Sequence, residues 1–240
     1  MDISGKLVLV TGGTDGIGRE IALQMQAKGA DVIVCGRRAE LLEAARADGL
    51  EPIAADLSNA AGCEALAKAL AGRPLDILIN NAGMSGNFGP GEPLDLVLTD
   101  AAIFLNLNAP MHLIGHMLPG LLARPEATIV NVTSGLAIAP RAGGPVYCAS
   151  KAGLRSFTQS LRYNLKASNV HVIEALPPVV DTAMTASQTG KSKMSAQECA
   201  AQIVNAIELN KAEANVGMVK ILQLLYSVSP KLARMVMIRF

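Results

Sequence analysis

The chain has 240 residues, 50% hydrophobic and 17% charged, with 21 basic and 20 acidic side chains for a formal net charge of +1. That balance excludes intrinsic disorder, which needs low hydrophobicity and high net charge. It also lacks the basic excess of a nucleic-acid binder, and with no Trp and 3% aromatic residues it offers no base-stacking platform.

The length suits one α/β domain that needs no disulfide or metal staple. A mean hydropathy of +0.34 invites a membrane test. The longest stretch without Asp, Glu, Lys or Arg, Ala101–Ala123, contains Asn106, Asn108, Pro110, His112, Gly115, His116 and Pro119, too polar for a lipid-spanning helix. Met1–Lys6 shows no basic segment leading into an apolar one, so no secretory signal is expected. Cys35, Cys63, Cys148 and Cys199 are far apart and are expected to be reduced thiols in a cytoplasmic protein.

In chain order, Lys6–Val10 reads as a buried strand, and Gly16–Lys28 as a helix with Ile17, Ile21, Ala22 and Met25 at helical spacing. Asp31–Cys35 is the next strand, Ala39–Ala47 a helix, Leu50–Ala55 a strand and Asn59–Ala71 a helix with Ser58 as N-cap. Leu75–Ile79 is a strand, followed by a Gly/Pro-rich loop over Gly83–Pro93 and a long helix within Thr99–Ala123. Ala127–Val132 is a strand, Val146–Ala167 a helix, Val170–Leu176 a strand, Thr182–Ser195 a loop and Ala196–Asn210 a helix. This alternation predicts a parallel sheet covered by helices on both faces. After Glu213 no acidic residue remains, and Val216–Phe240 is apolar with Lys220, Lys231, Arg234 and Arg239, broken by Pro230. It predicts two short amphipathic helices that form a subunit interface or core cover, an apolar substrate wall, or a contact with an anionic membrane surface.

Thr11-Gly12-Gly13-Thr14-Asp15-Gly16-Ile17-Gly18 joins the first strand to the first helix. Glycines there let the backbone turn tightly and approach a pyrophosphate seated on the positive end of the helix dipole. Asn80-Asn81-Ala82-Gly83 follows the fourth strand, and Asn131-Val132-Thr133-Ser134 ends the fifth. Tyr147-Cys148-Ala149-Ser150-Lys151 begins thirteen residues past Ser134. Four such motifs in this order resemble the short-chain dehydrogenase/reductase superfamily, to about Thr182. The Pro177-Pro178-Val179-Val180-Asp181-Thr182 segment, the Asn106-Leu107-Asn108-Ala109-Pro110 stretch and the basic apolar tail resemble its DltE-like branch.

Hydride transfer to a carbonyl leaves an alkoxide that needs a proton. A Tyr hydroxyl can supply it, and a Lys four residues on shares its helical face and favours the phenolate. The resemblance implies Tyr147 as general acid/base, and Lys151 as the residue that lowers its pKa and holds the nicotinamide ribose. It implies Ser134 positioning the carbonyl, and Asn106 anchoring a water chain to the Lys; Asn108 is the neighbouring candidate. It also implies cofactor contacts from Gly12, Thr14, Asp15, Gly16, Ile17, Gly18, Asp56, Leu57, Asn81, Ala82 and Gly83, with Pro177, Val180 and Thr182 at the nicotinamide end.

Gly36 occupies the position where NAD enzymes carry an acid for the ribose 2′-hydroxyl, and Arg37 and Arg38 follow. A 2′-phosphate would be repelled by an acid and bound by Arg, so NADP(H) is expected over NAD(H). Asp15 opposes this, and the bland alternative is that both arginines are solvated charges. His112 and His116 have no third ligand partner, so no metal is expected.

The expected fold is one doubly wound Rossmann domain over 1–240, sheet order 3-2-1-4-5-6-7, with a helical extension at 216–240. The expected function is NADP(H)-dependent interconversion of a carbonyl and a secondary alcohol, in a homodimer or homotetramer. The alternatives are a non-catalytic NADP(H) sensor, or a membrane-surface reductase docked by its tail. Met184, Met194, Lys191 and Lys193 in the candidate lid, Asp181–Ser195, point to a moderately apolar substrate carrying an anionic group.

Overall fold

The computed structural model describes residues 1–86, 93–188 and 192–239. Seven parallel strands form one sheet in the order β3-β2-β1-β4-β5-β6-β7. They are β1 (Leu7–Thr11), β2 (Asp31–Gly36), β3 (Glu51–Ala54), β4 (Ile77–Asn80), β5 (Ala127–Val132), β6 (Val170–Leu176) and β7 (Glu213–Asn215).

Every residue of β1, β4 and β5 is buried. Both faces of a parallel sheet are covered, so its central strands read as continuous apolar runs. Successive side chains still alternate between two cores. Val8, Val10, Val32, Val34, Val130 and Ile173 meet Ile21, Met25, Ile203 and Ile207 of helices α1 (Gly16–Ala27) and α7 (Ala196–Glu208) on one face. Leu7, Leu9, Ile33, Leu78 and Ile129 meet helices α3 (Ala60–Ala69) and α5 (Ala109–Leu122) on the other, with Phe157 and Leu161 of α6 (Pro145–Asn164). Helix α2 (Ala39–Ala47) contributes Ala45 to the first core.

The structure corrects several sequence boundaries. Ser58 is not the N-cap of α3: Asn59 is, its Oδ1 accepting from Gly62 N at 2.9 Å, while Ser58 N is held by Asp56 Oδ1 at 3.1 Å in a turn one residue earlier. The fourth strand starts at Ile77; Asp76 just before it accepts on its carboxylate from Leu7 N (2.9 Å) and Arg124 Nε (2.9 Å). The long helix starts earlier, at Leu96, as α4 (Leu96–Ile103), and runs through a π-helical segment, Phe104–Asn108, into α5. By length and composition alone Leu96–Leu122 could cross a bilayer; here Leu113, Ile114, Met117 and Leu121 are buried in the core. The Gly/Pro-rich loop falls partly outside the described residues, which omit 87–92.

The tail folds as the two expected helices, α8 (Val219–Val228) and α9 (Pro230–Met237), with Pro230 at the first turn and Ser229 Oγ capping Leu232 N at 3.3 Å. Val219, Leu222 and Tyr226 pack on Ile138 and Leu176, at the carboxyl end of the sheet. Leu224, Val228 and Met235 remain exposed.

Candidate active site

Between β1 and β4 the strand order reverses, so the loops after these strands diverge and open a crevice at the carboxyl edge. Gly12 takes a positive φ of 60° there, and a Cβ would stand 2.9 Å from Ala82 Cα. Thr11 Oγ1 accepts from Asn81 N and Ala82 N, both at 3.0 Å, and Asn81 Nδ2 donates to Thr11 O at 3.0 Å and Gly12 O at 3.2 Å. The glycine turn and the Asn80–Gly83 loop are thus one rigid unit. Asp15 caps α1, accepting from Gly16 N at 2.7 Å.

The resulting cleft, about 330 Å³, is lined by Gly12, Thr14, Asp15, Gly16, Ile17, Arg37, Arg38, Asp56, Leu57, Asn81, Ala82, Gly83, Pro177, Val180 and Thr182, and by Ser134, Tyr147 and Lys151. Gly18 differs from this set. It is buried off the cleft wall, and a Cβ there would collide with Asn81 Nδ2 and Gly12 O, so its smallness serves the packing of α1 on the glycine turn.

At the far end of the cleft Gly36 closes β2 without a carboxylate. Arg37 lies 3.6 Å from Asp56, and Arg38 2.8 Å from Asp15. The arginine side chains are 64% and 57% exposed. Ion pairs that wet contribute little and exchange partners readily. A dinucleotide fits this cradle: backbone free to approach, a helix N-terminus, and two cations beside the position where an acid is missing.

Ser134, Tyr147 and Lys151 meet where β5 ends and α6 begins. Ser134 starts a short 3₁₀ turn, its Oγ accepting from Leu136 N at 3.1 Å. Tyr147 and Lys151 are one turn apart on α6, and Lys151 Nζ is 5.8 Å from the Tyr147 ring centroid. Nζ donates to Val132 O at 2.7 Å. Burial pulls the Lys151 ammonium down to about 8. Burial also pushes the Tyr147 phenol above its ordinary value, outweighing the opposing hydrogen-bond influence of Ser134 and the charge of Arg141. The sequence reading expected Lys151 to lower the Tyr147 pKa; in the protein alone, desolvation wins.

Asn106 is fully buried within the π segment. Its Nδ2 donates to Met84 O (2.9 Å) and Ser150 Oγ (3.0 Å), and its Oδ1 accepts from Met84 N (2.9 Å). Pro110 has no N–H for the carbonyl four residues back, which favours the π register at Asn106. A Cβ on Gly83 would lie 3.0 Å from Asn106 Oδ1 and 3.6 Å from Lys151 Nζ, so both side chains converge on that glycine. Asn108 is half-buried at the end of the segment.

A second cavity of about 300 Å³ adjoins the cleft and shares Ser134 and Tyr147 with it. Its walls are mainly apolar, from Leu136, Pro178 and Met184 and from Val219, Leu222 and Val236 of the tail. Arg141 is its one charged side chain among the described residues, a residue the sequence reading did not single out. Of the lysines it did single out, Lys193 is committed to Asp181 (3.6 Å) and Thr185 O (2.8 Å), and Lys191 lies outside the described residues. His112 packs on Phe104, with ring centroids 5.4 Å apart.

The sheet order and the crevice define a doubly wound dinucleotide-binding α/β protein. The family model "short chain dehydrogenase" matches residues 6–193. The uncharacterized oxidoreductase DltE of Bacillus subtilis is 41% identical over 196 residues, 80% of this chain and 78% of that one. A short chain dehydrogenase from Burkholderia cenocepacia, solved in complex with NADP, superposes with a TM-score of 0.89 at 24% identity over 99% of both chains. The RhlG/NADP active-site complex of Pseudomonas aeruginosa superposes with a TM-score of 0.77 at 29% identity, over 85% of this chain and 89% of that one. The chain belongs to the short-chain dehydrogenase family, in its DltE-like branch, and is an oxidoreductase of the class that acts on CH–OH and C=O groups.

Proposed function

We propose that the protein interconverts a small carbonyl compound and its secondary alcohol with NADP(H) as hydride carrier. The carrying observation is that Ser134 and Tyr147 face both the dinucleotide cleft and the apolar cavity, so one substrate carbon can lie against both. The nicotinamide, when bound, supplies or takes up the hydride. Ser134 Oγ orients the carbonyl oxygen. Tyr147, a phenol protonated at neutral pH and kept so by burial, which pushes it above its ordinary value, donates its hydroxyl proton to the oxygen as negative charge develops there. Lys151, fixed by Val132 O, then places a positive charge near the phenolate that remains. Asn106 holds the Met84 segment and Ser150 beside this lysine.

The choice of NADP(H) over NAD(H) rests on Gly36, Arg37 and Arg38. The apolar face of α8 in the cavity wall supports the reading of the tail as a substrate wall.

The test is NADPH consumption across a broad carbonyl panel, with NADH in parallel and Tyr147→Phe as control. Expected is turnover that prefers NADPH and falls at least 10²-fold in the variant, the typical worth of a general acid. Tight NADPH binding without turnover of any carbonyl would replace this reading with that of a sensor.

A further inference from the structure

Arg141 stands on the loop between β5 and α6, six residues before Tyr147. Ala142 N donates to Ile238 O at 3.1 Å, so the end of the tail fastens this loop across the cavity. Arg141 Nη1 donates to Gln188 Oε1 at 3.1 Å, while Nε is buried without a partner among the described residues. Among the described residues no carboxylate lies within ion-pairing distance of it. Lys193 already has Asp181, and Arg239, which lines a third, separate cavity with Arg141, is a second cation.

A guanidinium half-withdrawn from water with an unused N–H is costly unless a partner arrives. Its planar fork matches a carboxylate through two parallel hydrogen bonds. Arg141 lines the cavity that Tyr147 and Ser134 face, and at about 300 Å³ that cavity is at the small end of ligand pockets, roughly 300–1,000 Å³. We propose that Arg141 is the specificity residue that binds a substrate carboxylate, and that the substrate class is a small oxo acid or hydroxy acid with a short apolar chain. The carboxylate sits on Arg141, the reacting carbon lies against Ser134 and Tyr147, and the chain packs on Leu136 and Leu222. This rests on the oxidoreductase reading above, and it moves the expected anion contact from the lid lysines to the β5–α6 loop.

The experiment measures kcat/KM with NADPH for matched pairs of short-chain oxo acids and their methyl esters, in the wild type, Arg141→Gln and Arg141→Lys. Expected is a preference for acid over ester of at least tenfold in the wild type, since hydrogen bonds to charged groups are the stronger class. The acid-to-ester ratio should collapse toward one in Arg141→Gln through a raised KM for the acid, with an intermediate ratio in Arg141→Lys. The ratio is internally controlled against general damage, and Arg141→Lys carries the test if Arg141→Gln does not fold. Ester turnover equal to acid turnover, unchanged in both variants, overturns the proposal and leaves the oxidoreductase reading intact. If no carbonyl is turned over, calorimetric titration of the NADP⁺-loaded protein with 3-hydroxybutyrate decides. Binding lost in Arg141→Gln supports the carboxylate site even though the reaction fails; no binding to the wild type overturns it.

Discussion

Lys151 reaches from the second turn of α6 across to β5, where its ammonium donates to the carbonyl oxygen of Val132 at 2.7 Å. A strand end thus sets the position of a helix side chain, and burial draws that ammonium down to about 8. Tyr147 is shifted the opposite way, above its ordinary range. Reduction needs the proton on Tyr147 and the charge on Lys151. NADPH-dependent reduction should therefore be level through neutral pH and fall as pH rises through about 8. A pH profile of kcat/KM checks this, and a rate still rising above pH 9 would contradict it.

The same lysine sets a stability prediction. Its pKa is about 8 when folded against roughly 10.4 when unfolded. Between these values the unfolded chain binds the extra proton, so stability rises with pH across that window, and the cost of the buried charge is present in full below it. Two pKa units correspond to about 3 kcal/mol, and the Val132 hydrogen bond returns about 1 kcal/mol of that. Lys151→Met should therefore be more stable than wild type near pH 7 by about 1–2 kcal/mol, while losing activity. The gain should shrink toward pH 10, as thermal melts at several pH values would show.

Cofactor preference yields a third expectation. Among the described residues Arg37 and Arg38 hold only exposed carboxylate partners, Asp56 and Asp15, so both can turn to a 2′-phosphate. Arg37→Ala should raise the KM for NADPH about tenfold, the loss of one charge-assisted contact, and leave that for NADH within about threefold. Asp15→Asn keeps the cap on Gly16 N but frees Arg38, so the KM for NADPH should fall. Steady-state kinetics with both nucleotides measure these effects; equal changes for the two would show that the arginines do not read the phosphate.

Much of the fold was legible because long apolar runs leave few choices. Ala127–Val132 and Val170–Leu176 are strands to the residue. The seventh strand, Glu213–Asn215, is three residues long and has one buried position, too short to carry a period. Asn59 and Ser58 are both good caps, and the Asp56 turn that decides between them is a tertiary detail. In the site, the glycine turn and the Ser134, Tyr147 and Lys151 spacing were legible as motifs. The direction of the Tyr147 shift was not, since spacing shows a charge neighbour but not the burial that outweighs it. Arg141 was hidden for the same reason: an Arg in a Gly/Pro loop reads as solvated until α9 is seen closing over it.

A final prediction concerns what holds the Ser134 end of β5. Glu174 on β6 is fully buried; its Oε1 accepts from Thr133 Oγ1 at 2.8 Å and its Oε2 from Arg155 Nη1 at 2.9 Å. Burial pushes the Glu174 carboxyl above its ordinary value despite the Arg155 charge. A carboxyl raised in the folded state favours folding when protonated, so stability from this group falls as pH rises through the window above 4.5. Arg155 limits that loss. Arg155→Met should destabilise the protein by about 3–5 kcal/mol at pH 7, because it strands a buried carboxylate. The deficit should narrow as pH is lowered toward 5, the reverse of ordinary acid sensitivity. Glu174→Gln in the Arg155→Met background keeps an acceptor for Thr133 and removes the charge, so it should recover most of the loss. Thr133 adjoins Ser134, so the single variant should also lower kcat and the double variant restore it. Urea unfolding at pH 5 and 7, paired with turnover, separates these outcomes; a deficit independent of pH would mean that Arg155 acts by packing and not by charge.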